Sequence, residues 1–241
     1  MLPAKKIDIS VFFPCHNEQD NVGRVVEQAL EVLPQISDDF EIIIVNDGSG
    51  DRTGEIADQL ANENPAVRVI HHSVNQGYGG ALQSGFRAAG KEWVFYTDGD
   101  GQFDLAELEG LVELTDQTDI VTCFRIDRKD PWIRKLNAWA WCKLVNFLFN
   151  LKIRDIDCAF KLYRREIFDN IEMHSQGALI DTEILARAER AGYSMVQRGV
   201  HHYPRRAGEQ SGASLKVILR AFGELFRLRK KILSKKAETK K

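Results

Sequence analysis

Two aspartates and a glutamine alternate with glycines directly after a strongly hydrophobic segment of this 241-residue sequence. Asp98, Asp100 and Gln102 follow residues 93–97, a run typical of a buried β-strand. Carboxylate and amide oxygens form a hard ligand set that suits Mg²⁺ or Mn²⁺ better than zinc. A solvated acidic turn is the alternative, but two unneutralised carboxylates at the mouth of a buried strand would repel each other. The pattern therefore favours a divalent metal site.

Polar residues also follow the three earlier hydrophobic runs. Pro14, Asn17 and Glu18 come after the first, Asp47 after the second, and Gly77 after the third. In an open parallel sheet, ligands bind beyond the carboxyl ends of the strands. Turn-forming residues would explain any one of these clusters, but four clusters at the ends of four successive strands favour a binding site.

These clusters must be positioned by an α/β fold. Hydrophobic runs at residues 7–13, 41–45, 67–71, 93–97 and 119–124 predict strands, and the segments between them predict amphipathic helices. Such alternation indicates βαβ units and a mostly parallel central sheet flanked by helices. In the second half we expect helices at 132–151 and 182–191, strands at 160–163 and 194–203, and a long amphipathic helix from residue 213.

Composition and charge exclude several classes of protein. The 33 Lys+Arg and 35 Asp+Glu residues give a net charge of −2, which argues against a globally basic protein that binds nucleic acid. Leu82 stands where a dinucleotide fingerprint starting at Gly77 needs a glycine, and no P-loop lysine follows. The four cysteines are scattered and form no C-x-x-C pair, which predicts reduced thiols rather than a zinc site.

The motifs of the first half resemble glycosyltransferase family 2 with a GT-A fold, and those of the second half resemble its dolichol-phosphate mannosyltransferase-like branch, the polyprenyl-phosphate glycosyltransferases. The first-half motifs are Pro14-x-x-Asn17-Glu18, Asn46-Asp47-Gly48-Ser49-x-Asp51-x-Thr53, Asn75-x-Gly77 and Asp98-x-Asp100-x-Gln102. The second-half motifs are Asp155-x-x-Cys158-Ala159-Phe160-Lys161 and Tyr203-x-Arg205-Arg206-x-Gly208. The resemblance covers residues 7–212, so we expect a catalytic domain at 1–212 and a basic amphipathic helix and tail at 213–241.

The resemblance implies an inverting glycosyltransferase that moves a sugar from a nucleotide-sugar donor, GDP-mannose or a UDP-sugar, to a polyprenyl or dolichyl phosphate. The metal, Mg²⁺ or Mn²⁺, would be bound by Asp98, Asp100 and Gln102 and would stabilise the charge on the departing diphosphate. The nucleotide would be held by the residues at the ends of the first three strands. These are Pro14, Asn17, Glu18, Asp47 and Gly77, and Asp98, at the end of the fourth strand, would contact the donor as well.

The site that binds the acceptor phosphate needs positively charged side chains more than it needs a general base, because a phosphate oxygen is already ionised at neutral pH. We rank Arg206 first, then Arg125 and Arg134, since arginine matches phosphate oxygens with two parallel hydrogen bonds. Asp155 either orients the acceptor or pairs with an arginine. Two further cations, Lys161 and Arg205, are equally well explained as partners in surface ion pairs.

Two other functions are consistent with the sequence. A family 2 enzyme acting on a sugar hydroxyl would need a general base, for which Asp181 and Glu183 are the candidates. A nucleotide-sugar-binding protein without turnover is the third possibility, although the intact carboxylates argue against it.

The sequence also predicts contact with a membrane surface. It holds no run of about 18 uncharged apolar residues, the length expected of a membrane-spanning helix. Residues 216–241 carry ten Lys/Arg and two Asp/Glu, and an amphipathic basic helix is typical of binding to anionic lipid. We therefore expect a cytoplasmic protein, peripheral on the inner face of the cell membrane; the alternative is that the apolar residues pack on the body. The side expected to face lipid comprises Leu215, Ile218, Leu219, Phe222, Leu225, Phe226 and Leu233.

Overall fold

The computed structural model describes residues 5–127, 132–205 and 215–234, with their side chains except those of residues 133, 134 and 215–222. Strands and helices alternate along these ranges. The strands are β1 (Ile9–Cys15), β2 (Phe40–Asn46), β3 (Val67–His71), β4 (Trp93–Thr97), β5 (Ile120–Ile126), β6 (Phe160–Arg164) and β7 (Met195–His201). The helices are α1 (Val22–Ile36), α2 (Thr53–Glu63), α3 (Tyr78–Ala88), α4 (Glu109–Val112, after a 3₁₀ turn at Leu105–Leu108), α5 (Trp132–Phe149), α6 (Ile167–Asn170), α7 (Leu179–Ala191) and α8 (Leu215–Ser234).

The strands form one sheet in the order β3-β2-β1-β4-β6-β5-β7. β1 pairs in parallel with β2 and β4, β2 with β3, and β5 with β7. β6 runs antiparallel to both of its neighbours, β4 and β5. One edge of the sheet therefore carries the carboxyl ends of six strands and the amino end of β6.

The predicted α/β class with a mostly parallel sheet is confirmed. Each predicted strand agrees with the observed strand to within two residues at either end. The strands were predictable because they are apolar along their whole length, as strands covered on both faces must be. All five residues of β4, for example, are buried.

An aromatic cluster fixes α3 to the sheet. The ring of Phe86 stacks on that of Phe168, with the ring centroids 3.9 Å apart. Phe12, Tyr96 and Tyr163 surround Phe86, with their centroids 4.9, 5.5 and 5.6 Å from its own. Full burial of one such side chain contributes about 1.5–3 kcal/mol, so this cluster is a major part of the core.

Glycines at the start of α3 let this helix approach the segment that precedes α7. Gly77 has φ +82°, in the left-handed region, and a Cβ there would lie 2.8 Å from the carbonyl oxygen of Gln176. A Cβ on Gly79 would lie 2.3 Å from the carbonyl oxygen of Ser175. The Gly79 N–H donates to the Gln176 carbonyl at 2.8 Å. Larger residues would push the two segments apart.

Part of the apolar face of α8 packs on the body of the protein. Leu225, Leu228 and Ile232 are buried, and Nε of Arg229 donates to the carbonyl of Leu148 in α5 at 3.1 Å. The prediction that Leu225 faces lipid is therefore wrong, because this side chain has an apolar surface of the same chain to cover.

The other residues of α8 that were predicted to face lipid fall into two groups. Phe226 and Leu233 are exposed, as predicted for the lipid-facing side. Leu215, Ile218, Leu219 and Phe222 have side chains outside the described part of the chain. The division between residues 212 and 213 also falls outside the described ranges and stays a prediction. No helix in the described ranges is long and apolar enough to cross a membrane.

All four cysteines are buried and free. Burial raises the pKa of the thiols of Cys15, Cys123 and Cys142, and it raises that of Cys158 to about 12. The thiols are therefore neutral at physiological pH and far from the thiolate form that reacts or binds metal.

Gly79→Ala should destabilise the protein, because the new methyl group would meet backbone atoms that cannot move independently. We expect a loss of about 1–3 kcal/mol, seen as a lower melting temperature in calorimetry. Gly223→Ala in α8 is the control, since a Cβ there has no neighbour within 4 Å among the described residues. That variant should be up to about 1 kcal/mol more stable than wild type. Equal stability of the Gly79→Ala variant and wild type would contradict the described packing of α3.

Candidate active site

The loops that follow β1 and β2 are joined by hydrogen bonds. The Asn17 N–H donates to Oγ of Ser49 at 3.0 Å, and Oδ1 of Asn17 accepts from the Gly50 N–H at 2.9 Å. The Glu18 N–H donates to Oγ1 of Thr53 at 2.8 Å. Asn17 has φ +57°, a left-handed conformation that asparagine adopts more readily than most residues. Two of the predicted donor-binding residues are thus held in a fixed conformation by the loop of the next strand.

Asp47 connects the ends of three strands. Its N–H donates to the carbonyl of Cys15 at 2.8 Å, next to Pro14 in β1. Its Oδ1 accepts from the N–H of Gln76 at 2.8 Å and lies 2.6 Å from Nδ1 of His72. Asp47 is 3% exposed, so these contacts fix its orientation. His72 is a site residue that the sequence analysis missed, because a histidine just after a strand gives no signal of the residue it will meet.

The structure brings Asp98, Asp100 and Gln102 into one turn after β4. Oδ1 of Asp100 accepts from the N–H of Gln102 at 3.0 Å. Nε2 of Gln102 donates to the carbonyl of Tyr203, and the Tyr203 N–H donates to the carbonyl of Gln102, both at 2.8 Å. The turn is therefore tied to the segment after β7.

Arg205, which lies in that segment, reaches both the turn after β4 and the loop after β1. Its Nη2 donates to Oε1 of Glu18, and its Nη1 lies 3.9 Å from Oδ2 of Asp100. From the sequence alone Arg205 ranks below Arg206, because the position of a cation in a polar loop does not indicate which carboxylate it will pair with. Arg206 lies outside the described residues.

Asp98 and Asp100 disfavour each other's ionised form. Burial raises the pKa of the Asp98 carboxyl to about 7, and the charges of Asp100 and Asp181 contribute to this rise. The pKa of Asp100 is also above its ordinary value, chiefly because of burial, although the Gln102 N–H and the charge of Arg205 oppose the rise. The two carboxylates are therefore only partly compensated by the protein itself.

The chemistry of this pair fits a divalent cation. Within the described residues, no set of three His, Cys, Asp or Glu side chains forms a metal cluster. Mg²⁺ typically takes only one or two protein carboxylates and completes its shell with water and substrate phosphates. Two carboxylates whose negative charges are only partly compensated, at the ligand-binding edge of the sheet, suit a metal ion that is also coordinated by a diphosphate.

Arg125 and Asp155 form an ion pair with two parallel hydrogen bonds at the end of β5. The distances are 2.7 Å from Nε to Oδ2 and 2.8 Å from Nη2 to Oδ1. Burial alone would lower the pKa of Arg125, but the hydrogen bonds and charge of Asp155 raise it above its ordinary value. Asp155 thus pairs with an arginine, one of the two roles left open by the sequence. The side chain of Arg134 lies outside the described part of the chain.

Asp181 and Glu183, the candidate general bases, are buried, and both carboxylates already have hydrogen-bond partners. Oδ1 of Asp181 lies 2.6 Å from Nζ of Lys161, which is fully buried rather than a surface cation. Glu183 accepts from the N–H groups of His174 and Ser175 at 3.0 and 2.7 Å. These hydrogen bonds lower the pKa of Glu183 even though burial alone would raise it. Glu183 therefore holds in place the segment before α7, against which the start of α3 packs.

Comparison with known proteins identifies a family. The model described as "Glycosyl transferase family 2" matches residues 10–172. The chain is 34% identical over 214 residues to "Glycosyltransferase AglD" of Haloferax volcanii, covering 84% of this chain and 34% of that protein. It is 28% identical to an undecaprenyl-phosphate 4-deoxy-4-formamido-L-arabinose transferase of Edwardsiella ictaluri, covering 87% and 64%. It is 29% identical to a polyprenol monophosphomannose synthase of Mycolicibacterium smegmatis, covering 86% and 82%. The chain spans between one third and two thirds of the length of the first two relatives.

Solved structures confirm the predicted GT-A fold. Glucosyl-3-phosphoglycerate synthase from Mycobacterium tuberculosis in complex with UDP gives a TM-score of 0.69 at 19% identity, covering 93% of this chain and 80% of that one. Its complex with Mn²⁺, UDP and glucosyl-3-phosphoglycerate gives 0.67 at 18% identity, covering 98% and 81%. At this level of identity the likeness establishes the fold alone.

Asp98→Asn should stabilise the metal-free protein at alkaline pH. A carboxyl whose pKa is about 7 when folded and about 3.9 when unfolded contributes stability that is fully present below pH ~4. That contribution is lost as the pH rises through 7. In EDTA at pH 8 we expect the variant to melt ~2–8 °C above wild type, and the difference to shrink towards pH 4.

Asp20→Asn, at an exposed position before α1, is the control for the loss of one negative charge. It should shift the melting temperature little, and the shift should not grow as the pH rises from about 4 to 8. An Asp98→Asn variant less stable than wild type at every pH would show that burial does not penalise this carboxylate.

Proposed function

Because the chain belongs to glycosyltransferase family 2, we propose that it is a metal-dependent, inverting glycosyltransferase that transfers a sugar from a nucleotide-sugar to a polyprenyl or dolichyl phosphate. The observation that carries the proposal is the under-compensated pair Asp98 and Asp100 at the ligand-binding edge of a GT-A sheet. The acceptor class is supported by relatives named as polyprenyl-phosphate sugar transferases. The donor is GDP-mannose or a UDP-sugar.

In the proposed reaction an oxygen of the lipid phosphate attacks the anomeric carbon of the sugar. The bond between that carbon and the terminal phosphate oxygen of the nucleotide breaks, and its electrons leave with the nucleoside diphosphate. A divalent cation held by Asp98 and Asp100, with Gln102 as the third predicted ligand, would stabilise the negative charge that this group acquires. The chain's own residues hold the two substrates in line, which removes much of the entropic cost of the encounter.

We assign the nucleoside to the loops at the ends of β1, β2 and β3. The orientation of the Asp47 carboxylate is fixed by contacts with His72 and Gln76, both of which follow β3, so it can serve as a fixed acceptor for a base or ribose. The loops after β1 and β2 are also joined to each other, which preorganises the surface that meets the donor. The residues assigned to the donor are Pro14, Asn17, Glu18, Asp47 and Gly77.

We assign the lipid phosphate to three arginines from the second half of the chain. Arg206 is the first choice, and Arg125 and Arg134 follow. Asp155 holds the guanidinium of Arg125 in one orientation through two hydrogen bonds, so the charge of this arginine is positioned in advance. Arginines at such a site bring together two anionic substrates that would otherwise repel each other.

Asp181 and Glu183 already have hydrogen-bond partners, and this supports a phosphate acceptor over a sugar hydroxyl. A hydroxyl must lose its proton in the reaction and needs a base within hydrogen-bonding reach. Asp181 is paired with Lys161, and Glu183 with two backbone N–H groups. A phosphate is already ionised and needs no such base.

An exposed apolar stripe on α5 supports peripheral contact with a membrane, for which we propose the cytoplasmic face. Trp132, Leu136, Trp139 and Phe147 recur at helical spacing and are 71%, 50%, 59% and 84% exposed. Exposed Lys143 lies within the same stripe. Soluble surfaces seldom expose so many large apolar side chains together, whereas tryptophan beside lysine is typical of lipid headgroup regions. A lipid-linked acceptor would meet the enzyme at this surface.

Asp100→Asn and Arg206→Ala should each reduce transfer of labelled sugar to a polyprenyl phosphate by at least ~100-fold, because the first removes a proposed ligand of the cation and the second removes a positive charge proposed to bind the acceptor phosphate. The assay uses a panel of GDP- and UDP-sugars with Mn²⁺, and circular dichroism checks the fold. Arg52→Ala is the control, since Arg52 is exposed and, among the described residues, its side chain forms an ion pair with Glu55 three residues further along the chain. Near-native activity of Arg206→Ala, together with transfer to a sugar hydroxyl, would favour the hydroxyl-acceptor enzyme instead.

Replacing both Trp132 and Trp139 by serine should weaken binding to vesicles of phosphatidylglycerol and phosphatidylcholine by about tenfold or more, because two large apolar side chains no longer enter the interface. Co-sedimentation measures the bound fraction. Val74→Ser, which removes an exposed apolar side chain elsewhere, should bind as wild type does. Unchanged binding of the double variant would rule out α5 as the contact surface.

A further inference from the structure

The residue that follows β3 connects the ligand-binding edge of the sheet to α3. His72 is buried, and its backbone N–H donates to the carbonyl of Asn46 at 2.9 Å, next to Asp47. Successive side chains of an extended chain alternate between its two faces. His71 accordingly contacts α2, where its Nε2 lies 2.9 Å from Oδ1 of Asp58. His72 contacts α3 instead, with Nε2 2.8 Å from Oγ of Ser84.

The hydrogen bonds of His72 determine which of its ring nitrogens is the donor. Nδ1 lies 2.6 Å from Oδ1 of Asp47, and a carboxylate oxygen can only accept, so Nδ1 donates. In a neutral imidazole the other nitrogen is then an acceptor, and the hydroxyl of Ser84 donates to Nε2. The ring therefore has a partner at each nitrogen, and a rotation about its own axis would break both hydrogen bonds.

These contacts make the two oxygens of Asp47 unequal. Oδ1 accepts from Nδ1 of His72 and from the N–H of Gln76 at 2.8 Å. In the described part of the chain no donor reaches Oδ2. Asp47 is buried, and a hydrogen bond is electrostatically stronger where water is scarce. Oδ2 is therefore the atom that can accept an N–H or O–H group of a ligand.

The anchor of His72 belongs to the core rather than to the loops that meet substrate. Ser84 lies in α3, and a Cβ on the next residue, Gly85, would lie 2.3 Å from the ring of Phe12 in β1. Phe86 follows, and its ring stacks on that of Phe168. The helix is thus held directly against the sheet at the turn that carries Ser84. The position of the His72 ring is set by this packing.

We propose that His72 is a positioning residue for the nucleotide-sugar donor: anchored by Ser84, it directs Oδ2 of Asp47 towards the nucleoside. The inference rests on the proposed function, in which Asp47 binds the base or ribose. The nucleoside is remote from the bond that breaks, so loss of this contact raises KM for the donor and leaves kcat nearly unchanged. The contribution of His72 also depends on the presence of the Asp47 carboxylate, which a purely structural role would not require.

A double-mutant cycle on the full chain tests this role. His72→Phe keeps a ring and removes both nitrogens, and it is made in wild type and in Asp47→Asn. His72→Asn keeps a side-chain N–H donor beside Asp47. His174→Phe is the control, since His174 is exposed and its Nε2 lies 2.9 Å from Oε2 of Glu172. Calorimetry measures the affinity for UDP and for GDP with Mn²⁺, and a transfer assay gives KM for the donor and kcat.

We expect His72→Phe to bind the nucleoside diphosphate about tenfold more weakly than wild type. KM for the donor should rise by a similar factor, with kcat within about twofold of wild type. His72→Asn should lose less than about threefold in affinity. In the Asp47→Asn background, His72→Phe should cause no further loss. His174→Phe should match wild type in every measurement.

Wild-type affinity in His72→Phe, or an undiminished tenfold loss in the Asp47→Asn background, would overturn the positioning role. Sugar transfer by wild type would leave the proposed function standing in either case. If circular dichroism shows that His72→Phe does not fold, Ser84→Ala takes its place. We expect it to weaken binding about threefold, because Nε2 of His72 loses its donor, and unchanged affinity would overturn the role. A wild-type protein that binds neither nucleotide and transfers no sugar would overturn both proposals.

Discussion

Mutual repulsion between the carboxylates of Asp98 and Asp100 is the constraint around which the candidate site is arranged. Only a glycine separates the two residues, and burial makes their ionised forms costly. The surroundings compensate in part: Arg205 approaches Asp100 from the segment after β7, and the charge of the buried Lys161 opposes the rise in the pKa of Asp98. The compensation stops short of a full countercharge, and this deficit is the basis of the proposed affinity for a divalent cation.

Most of the architecture could be predicted because it depends on local pattern. Strands covered on both faces are apolar throughout, and polar clusters after four of them located the ligand-binding edge before any contact was known. The grouping of Asp98, Asp100 and Gln102 in one turn follows from their spacing alone. The two long helices, α5 and α8, were also predictable, because each segment is rich in apolar residues that suit a helix.

Contacts between distant parts of the chain were beyond such reasoning. The pairing of Arg205 with Glu18 joins residues far apart in sequence, and nothing in the composition of either loop specifies the other. Lys161 looked like a surface cation, yet it is wholly buried because Asp181 and a backbone carbonyl satisfy it. Leu225 was misassigned for a related reason: periodicity identifies an apolar face but does not tell whether protein or lipid covers it.

The state of the cysteines has a practical consequence for future measurements. With every native thiol buried and its pKa raised, the chain presents no reactive sulfur to maleimide or nitroxide reagents while it is folded. A single cysteine introduced on an exposed position of α5 would then be the sole site of labelling, with no need to remove the natural ones. Spin or fluorescence probes could thereby report the depth and tilt of this helix at a bilayer in an otherwise unaltered protein.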